Sequence, residues 1–190
     1  MDAGAALSLG ALAADLLATP PRLGGTRLVC VDGPAGSGKT TFAGRLAAEL
    51  GTAAEVVHMD DLYAGWTLTG AVARLEAGVL RPLADGHPGA YHRYDWAAGC
   101  FDPRPVPVAA APVLVVEGCG SSPRRLGPWT TLRVWVEAPD GLRLARGLAR
   151  DGAAMAPHWH RWLRTEAAEF AAEGTRARAD LLVDGTVPLR

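Results

Sequence analysis

The sequence predicts an α/β fold: a five-stranded, mainly parallel sheet with helices on both faces and a small helical lid. Three observations predict it. Short β-rich apolar runs recur at residues 27–31, 54–58, 111–118, 131–136 and 180–184. Most of them are continuous rather than alternating, as strands buried on both faces must be. Stretches with helical spacing separate them, which is the pattern of parallel strands joined by crossovers.

The elements follow in chain order. Leu9, Leu12 and Leu16 fall at i, i+3 and i+7, which predicts an amphipathic helix ahead of the first strand. The Ala- and Leu-rich start is not expected to be a signal peptide, because the first basic residue is Arg22 and Asp15 interrupts the apolar run. After the first strand, residues 33–40 read GPAGSGKT and fit G-x-x-x-x-G-K-[ST] at every fixed position. Phe42, Leu46 and Leu50 then recur at i, i+4 and i+8, and Gly51 ends that helix.

Strand, glycine loop and helix are what phosphate binding needs. Glycines let backbone N–H groups turn inward, and the helix N-terminus adds partial positive charge. Gly33, Pro34, Ala35, Gly36, Ser37, Gly38, Lys39, Thr40 and Thr41 are therefore the expected nucleotide cradle. Lys39 would reach the β- and γ-phosphates of ATP, and the Thr40 hydroxyl would ligate Mg²⁺. The fold class sharpens to a P-loop NTPase three-layer sandwich.

The second strand runs directly into Met59, Asp60, Asp61, Leu62 and Tyr63. Residues just past the carboxyl ends of parallel strands face the ligand crevice. Asp60 is the candidate general base for an attacking hydroxyl, with Tyr63 orienting the acceptor. Asp61 reads as a helix cap or a metal-side residue, and His58 as a strand-end residue. Further on, Tyr91, His92, Arg93, Tyr94, Asp95 and Trp96 form a polar-aromatic patch within a Gly/Pro-rich stretch. Tyr91, Tyr94 and Trp96 offer stacking faces there, while Arg93 and Asp95 can hold hydroxyls or charges. A structural aromatic hairpin would use the same residues.

The run at 111–118 ends in Glu117, where P-loop enzymes hold a carboxylate close to Mg²⁺; Asp32, ending the first strand, is a second candidate. Asp140 is placed to cap a helix on which Arg143, Arg146 and Arg150 form a stripe about 60° wide. Three guanidinium groups on one face suit a closing lid that neutralises a transferring phosphoryl group. Residues 152–157 read as a hinge. Beyond them Trp159, Leu163, Ala167 and Phe170 predict a buried helical stripe, and Glu166 within it requires a partner.

Taken in order, the P-loop, Asp60–Tyr63, Tyr94-Asp95-Trp96 and Val115-Val116-Glu117-Gly118 resemble the uridine kinase family, which belongs with phosphoribulokinase, pantothenate kinase and nicotinamide riboside kinase. The resemblance spans about residues 28–185. It implies that Asp60 is the base, that Tyr94 to Trp96 hold the acceptor, and that lid arginines clamp ATP. Pyrimidine nucleoside kinases of this family carry a base-contacting histidine shortly after the motif. Here Trp96 is followed by Ala97-Ala98-Gly99-Cys100, and the lid lacks the second arginine cluster. The resemblance thus implies a kinase without fixing uridine as its acceptor.

Composition narrows the partners. A net charge of -1 without a basic stripe predicts neither a nucleic-acid nor a membrane partner. Three cysteines without metal-type spacing predict reduced thiols and a cytoplasmic protein. Of the 19 Lys and Arg residues only Lys39 is lysine, and it sits where a compact ammonium is hardest to replace. That leaves no lysine for the N/T-K-x-D motif of a GTPase. One domain over 1–190 is expected, with the phosphate loop at 33–40, an acceptor hairpin at 82–112 and the lid at 141–158. A kinase acting on a nucleoside is the leading expectation. A nucleoside-monophosphate kinase, using Arg74, Arg81 or Arg93, and a catalytically silent nucleotide-binding module are the alternatives. Monomer and homo-oligomer are equally open.

Overall fold

In the computed structural model, which describes residues 8–187, the chain runs α1 (Leu9–Ala18), β1 (Arg27–Asp32), α2 (Lys39–Leu50), β2 (Ala54–His58), α3 (Ala71–Leu75), α4 (Arg81–Ala84), β3 (Gly89–Asp95), β4 (Cys100–Val108), β5 (Val113–Glu117), β6 (Thr130–Glu137), α5 (Asp140–Asp151), α6 (Ala156–Glu173) and β7 (Leu181–Asp184). A π-helical turn at Glu76–Leu80 joins α3 to α4. The five apolar runs form one sheet in the order β2-β5-β1-β6-β7, with every neighbouring pair parallel. This is the α/β fold the sequence predicts.

Successive strand residues point to opposite faces, and both faces are covered. Val29, Val31, Val113 and Val115 pack with Leu9, Leu16, Phe42 and Leu46 of α1 and α2. Leu28, Cys30, Leu114 and Val116 pack on the other side with Leu75, Leu83 and Trp162 of α3, α4 and α6. Continuous valine runs were therefore the correct sign of a strand buried on both sides. Among the described residues, no helix is long and apolar enough to cross a membrane.

The stretch from 82 onward begins as the end of α4 and then becomes an antiparallel hairpin, β3–β4, separate from the main sheet. Pro103, Pro105 and Pro107 sit in β4, whose outer edge has no strand partner among the described residues, so their missing N–H groups cost no ladder bonds there.

Three local expectations are corrected. Pro139, not Asp140, occupies the cap position of α5, and the Asp140 carboxylate instead accepts from Arg143 at 2.8 Å. The break at 152–157 holds a 3₁₀ turn, Ala153–Met155, and α6 starts at Ala156. The buried row of α6 is Trp159, Trp162 and Glu166, while Leu163 is half-buried and Ala167 exposed. Two contacts draw that row inward: the Trp159 ring lies over Gly147 of α5, and Glu166 pairs with Arg143.

Candidate active site

The carboxyl ends of β1, β5 and β2 lie level. Register pairs Val31 with Glu117 and His58 with Glu117, so the segments following these strands open onto one edge of the sheet. Along this edge runs a cavity of about 990 Å³. It extends from Asp184–Val187, past the 36–41 loop, to Asp60, Trp66 and Trp96. Sheet order separates its ends: β7 lies at one margin and β2 at the other, with the glycine loop following the central strand β1.

The loop is built for an anion. Gly36 has φ +78°, and a Cβ there would lie 2.5 Å from the Arg143 carbonyl oxygen, so the turn needs glycine. The first intrahelical bond of α2 runs from the Phe42 N–H to the Gly38 carbonyl at 3.0 Å. The N–H groups of Lys39, Thr40 and Thr41 precede it and point out of the helix end. The Ser37 hydroxyl is buried with no hydrogen-bond partner. Lys39 Nζ donates to the Pro34 carbonyl at 2.9 Å. Burial opposes its charge, but Cys119, Glu117, Glu166 and Asp32 around it hold its pKa above the ordinary value. Open amides and a buried ammonium lining the cavity together fit a nucleotide's phosphates.

Glu117 ends β5 and accepts twice on Oε1: from the Thr40 hydroxyl at 3.2 Å and from His58 Nδ1 at 2.6 Å. That hydrogen bond raises the pKa of His58. Thr40 and Glu117 could hold Mg²⁺, and among the described residues no cluster of three or more His, Cys, Asp or Glu could do so alone. Mg²⁺ is usually held by one or two protein oxygens, with phosphates and water completing its shell. Asp60 opens onto the same cavity. Desolvation, reinforced by the Glu117 charge, raises its pKa, against the pull of Lys39, Arg150 and His58. Gly118, at φ +135°, lets this edge close up, since a Cβ there would lie 2.6 Å from Met59 Cβ.

Asp32, the second metal-side candidate, is occupied by backbone amides. Its buried carboxylate accepts from the N–H groups of Gly33 (2.7 Å), Gly120 (2.9 Å) and Ser122 (2.9 Å), tying the glycine loop to the loop after β5. Burial pushes its pKa up to about 6 against those three amides.

The structure separates the other candidates. Trp96 lines the cavity, and its Nε1–H donates to the Asp60 carbonyl at 3.2 Å. Tyr63 lines it as well, but is fully buried with its hydroxyl on the Cys119 carbonyl at 2.8 Å. Tyr91 and Arg93 instead grip Asp61, at 2.8 and 3.1 Å. Asp95 accepts from the Ala97 and Ala98 N–H groups in the hairpin turn, and Tyr94 packs against Trp96 and Phe101. None of these four lines the cavity.

The arginine stripe also divides. Arg146 and Arg150 line the cavity. Arg146 donates to the carbonyls of Gly36 and Gly185 at 3.1 and 3.2 Å, and Arg150 is paired with Asp151 at 2.7 Å. Arg143 does not line it: its buried guanidinium bonds Glu166 at 3.0 Å and the Ala35 carbonyl at 3.1 Å. Glu166 in turn accepts the Ala35 N–H at 2.8 Å. The pair holds one loop residue, Ala35, by both its N–H and its carbonyl. This is where the requirement for a partner to Glu166 is met.

Sequence reasoning missed several residues. The His58–Glu117 contact joins the ends of two apolar runs, and only the β2–β5 register makes them neighbours. Cys119 sits 3.6 Å from Lys39 Nζ. Trp66 meets Trp96, Trp159 and Trp162 edge to face at 5.8, 6.3 and 5.9 Å. Six tryptophans in 190 residues were the available signal for this wall.

No family model and no curated protein matches the chain. Its fold is similar to that of solved structures. A possible uridine kinase from Bacillus stearothermophilus superposes with a TM-score of 0.66 at 23% identity, covering 93% of this chain and 97% of the other. A candidate fructose transport system kinase from Silicibacter sp. TM1040 gives 0.62 at 24% identity, covering 93% and 98%. At these identities the likeness is one of fold: an α/β protein with the architecture of P-loop kinases.

Proposed function

We propose that the protein is an ATP-dependent kinase that moves the γ-phosphate to a hydroxyl of a small metabolite, with a nucleoside the leading acceptor. The observation that carries this reading is a single cavity in which Lys39, Thr40 and Glu117 meet Asp60, one strand further out. Lys39 and the loop amides hold phosphates, while Thr40 and Glu117 hold Mg²⁺. The bound Mg²⁺ supplies neutralisation of phosphate charge. Asp60 accepts the proton of the acceptor hydroxyl, a task its raised pKa suits. Arg146 and Arg150 stabilise charge on the transferring group, and Arg150 leaves Asp151 to do so. The chain acts as one domain, with the corner at about 141–158 as lid and β3–β4 bracing the acceptor side. The free thiols of Cys30, Cys100 and Cys119 suit the cytoplasm.

A monophosphate acceptor has less support, because Arg74, Arg81 and Arg93 do not line the cavity; Arg74 donates to the Leu62 and Thr69 carbonyls and Arg93 is paired with Asp61.

ATP consumption with Mg²⁺, measured against nucleosides, nucleoside monophosphates, pantothenate and small sugars, tests the proposal. Turnover with a hydroxyl acceptor, reduced about 10²–10⁴-fold in Asp60→Ala, is expected. Tight ATP binding with no transfer to any acceptor, or an Asp60→Ala variant as active as the parent, would sink it.

A further inference from the structure

We infer that His58 is a positioning residue: it ties up one oxygen of Glu117, leaves the other for a metal ion, and so makes the site select Mg²⁺ over Ca²⁺. This rests on the reading of Thr40 and Glu117 as the Mg²⁺ pair, and it adds to that pair a residue outside the cavity.

Glu117 ends β5, is buried and lines the cavity. His58 ends β2 in register with it, but its side chain is 43% exposed and does not line the cavity. Whatever His58 does for a ligand, it therefore does through Glu117. The contact is short: Nδ1–H donates to Oε1 at 2.6 Å, and the Thr40 hydroxyl donates to the same oxygen at 3.2 Å. Glu117 Oε2 accepts no hydrogen bond among the described residues. One oxygen is spent on the protein and the other is not.

That division fixes two neighbours at once. A glutamate has considerable rotamer freedom to lose when it is ordered, and His58 orders it before any ligand arrives. Lys39 feels the charge of Glu117, so a loosened carboxylate has a second cation to turn to. Thr40, with its hydrogen on Oε1, keeps its oxygen lone pairs for a cation.

The choice of ion follows from how each uses a carboxylate. Mg²⁺ is small, demands octahedral geometry and keeps several of its waters. Ca²⁺ is larger, takes more oxygens and accepts both oxygens of one carboxylate. With Oε1 held by two donors, Glu117 offers a single oxygen and withholds the bidentate mode that suits Ca²⁺.

Isothermal titration of the full chain with a non-hydrolysable ATP analogue, in Mg²⁺, in Ca²⁺ and in EDTA, tests this. His58→Ala should weaken binding in Mg²⁺ about 10- to 100-fold, the usual cost of losing a partner behind a metal ligand. It should weaken binding in Ca²⁺ by less, so the preference for Mg²⁺ falls. In EDTA the variant should bind the analogue like the parent. His58→Asn places an amide N–H where Nδ1 stood and should stay nearer the parent than the alanine variant. Unchanged binding in Mg²⁺, equal losses with both ions, or an asparagine variant as weak as alanine would overturn the inference. An equal loss in EDTA would make His58 merely structural and overturn it as well. A parent that binds the analogue equally with and without Mg²⁺ would overturn the Thr40–Glu117 pair, and this inference with it. Phosphate transfer separates the kinase from the metal site: the expected ion preference without transfer to any acceptor would support the role of His58 and overturn the kinase.

Discussion

Removing the Glu166 carboxylate should destabilise this fold more than removing any exposed charge. The side chain is buried, as is Arg143, whose guanidinium it meets at 3.0 Å. Glu166→Ala would leave that guanidinium with the Ala35 carbonyl and with Asp140, whose side chain is 91% exposed and therefore a weak, screened partner. It would also strip the Ala35 N–H of its acceptor. Breaking a buried pair from one side costs about 3–5 kcal/mol, and the surviving Asp140 contact argues for the lower end, about 3 kcal/mol. For a chain of this length each kcal/mol moves Tm by about 2–4 °C, so a fall of roughly 6–12 °C is expected by calorimetry. Glu166→Gln keeps an acceptor for Ala35 and should fall between parent and alanine variant. Arg143→Met with Glu166→Met removes the uncompensated charge and should recover part of the loss. It cannot recover all of it, because the Ala35 peptide stays unpaired. A Glu166→Ala variant melting within about 2 °C of the parent would refute the assignment of this pair as the brace of the loop.

Two further outcomes are expected. Asp60 must be ionised to take a proton, and its pKa is raised, so the acid limb of kcat/KM should lie above the usual aspartate value of about 3.9, with activity rising as pH climbs through it; a limb at or below that value would remove Asp60 as the base. Gly147→Ala would put a Cβ 2.2 Å from the Trp159 ring, forcing α5 off α6 at a cost of about 1–3 kcal/mol and weakening nucleotide binding through the displaced Arg146, whereas unchanged stability and affinity would mean that α5 is not fixed there.

The fold was legible because its signals are local. A strand buried on both faces needs a continuous apolar run, and a phosphate loop needs its glycines and lysine in fixed order; five runs and one motif therefore located the sheet and its centre. Long-range pairing was less legible. His58 looks like an ordinary strand end until β2 is known to lie beside β5. Arg143, Arg146 and Arg150 are equivalent on a helical wheel, yet one is buried and two face the cavity. Spacing gives a stripe; only the neighbouring helix tells which of its members turns inward. The same holds for α6, where the wheel offered a Trp159–Leu163–Ala167 row and the Gly147 seat and the Arg143 partner selected Trp159–Trp162–Glu166 instead.

That selection gives the arginines of α5 distinct duties. Gly147 brings the α5 backbone down onto the Trp159 ring, and Trp159 donates its N–H to Asp151 at 2.9 Å. Asp151 is thereby held where it can also take Arg150. One turn earlier, Arg146 rests on the carbonyls of the glycine loop and of Gly185, groups that compete only weakly for a guanidinium when a phosphate is near. One further turn back, the buried Arg143 bonds Glu166, the Ala35 carbonyl and Asp140. Burial therefore grades along a single helix, from Arg143 under the loop to the exposed Arg150, held by one carboxylate at the cavity mouth. If α5 serves as the lid proposed above, its moving end would be the one whose partners a ligand can replace.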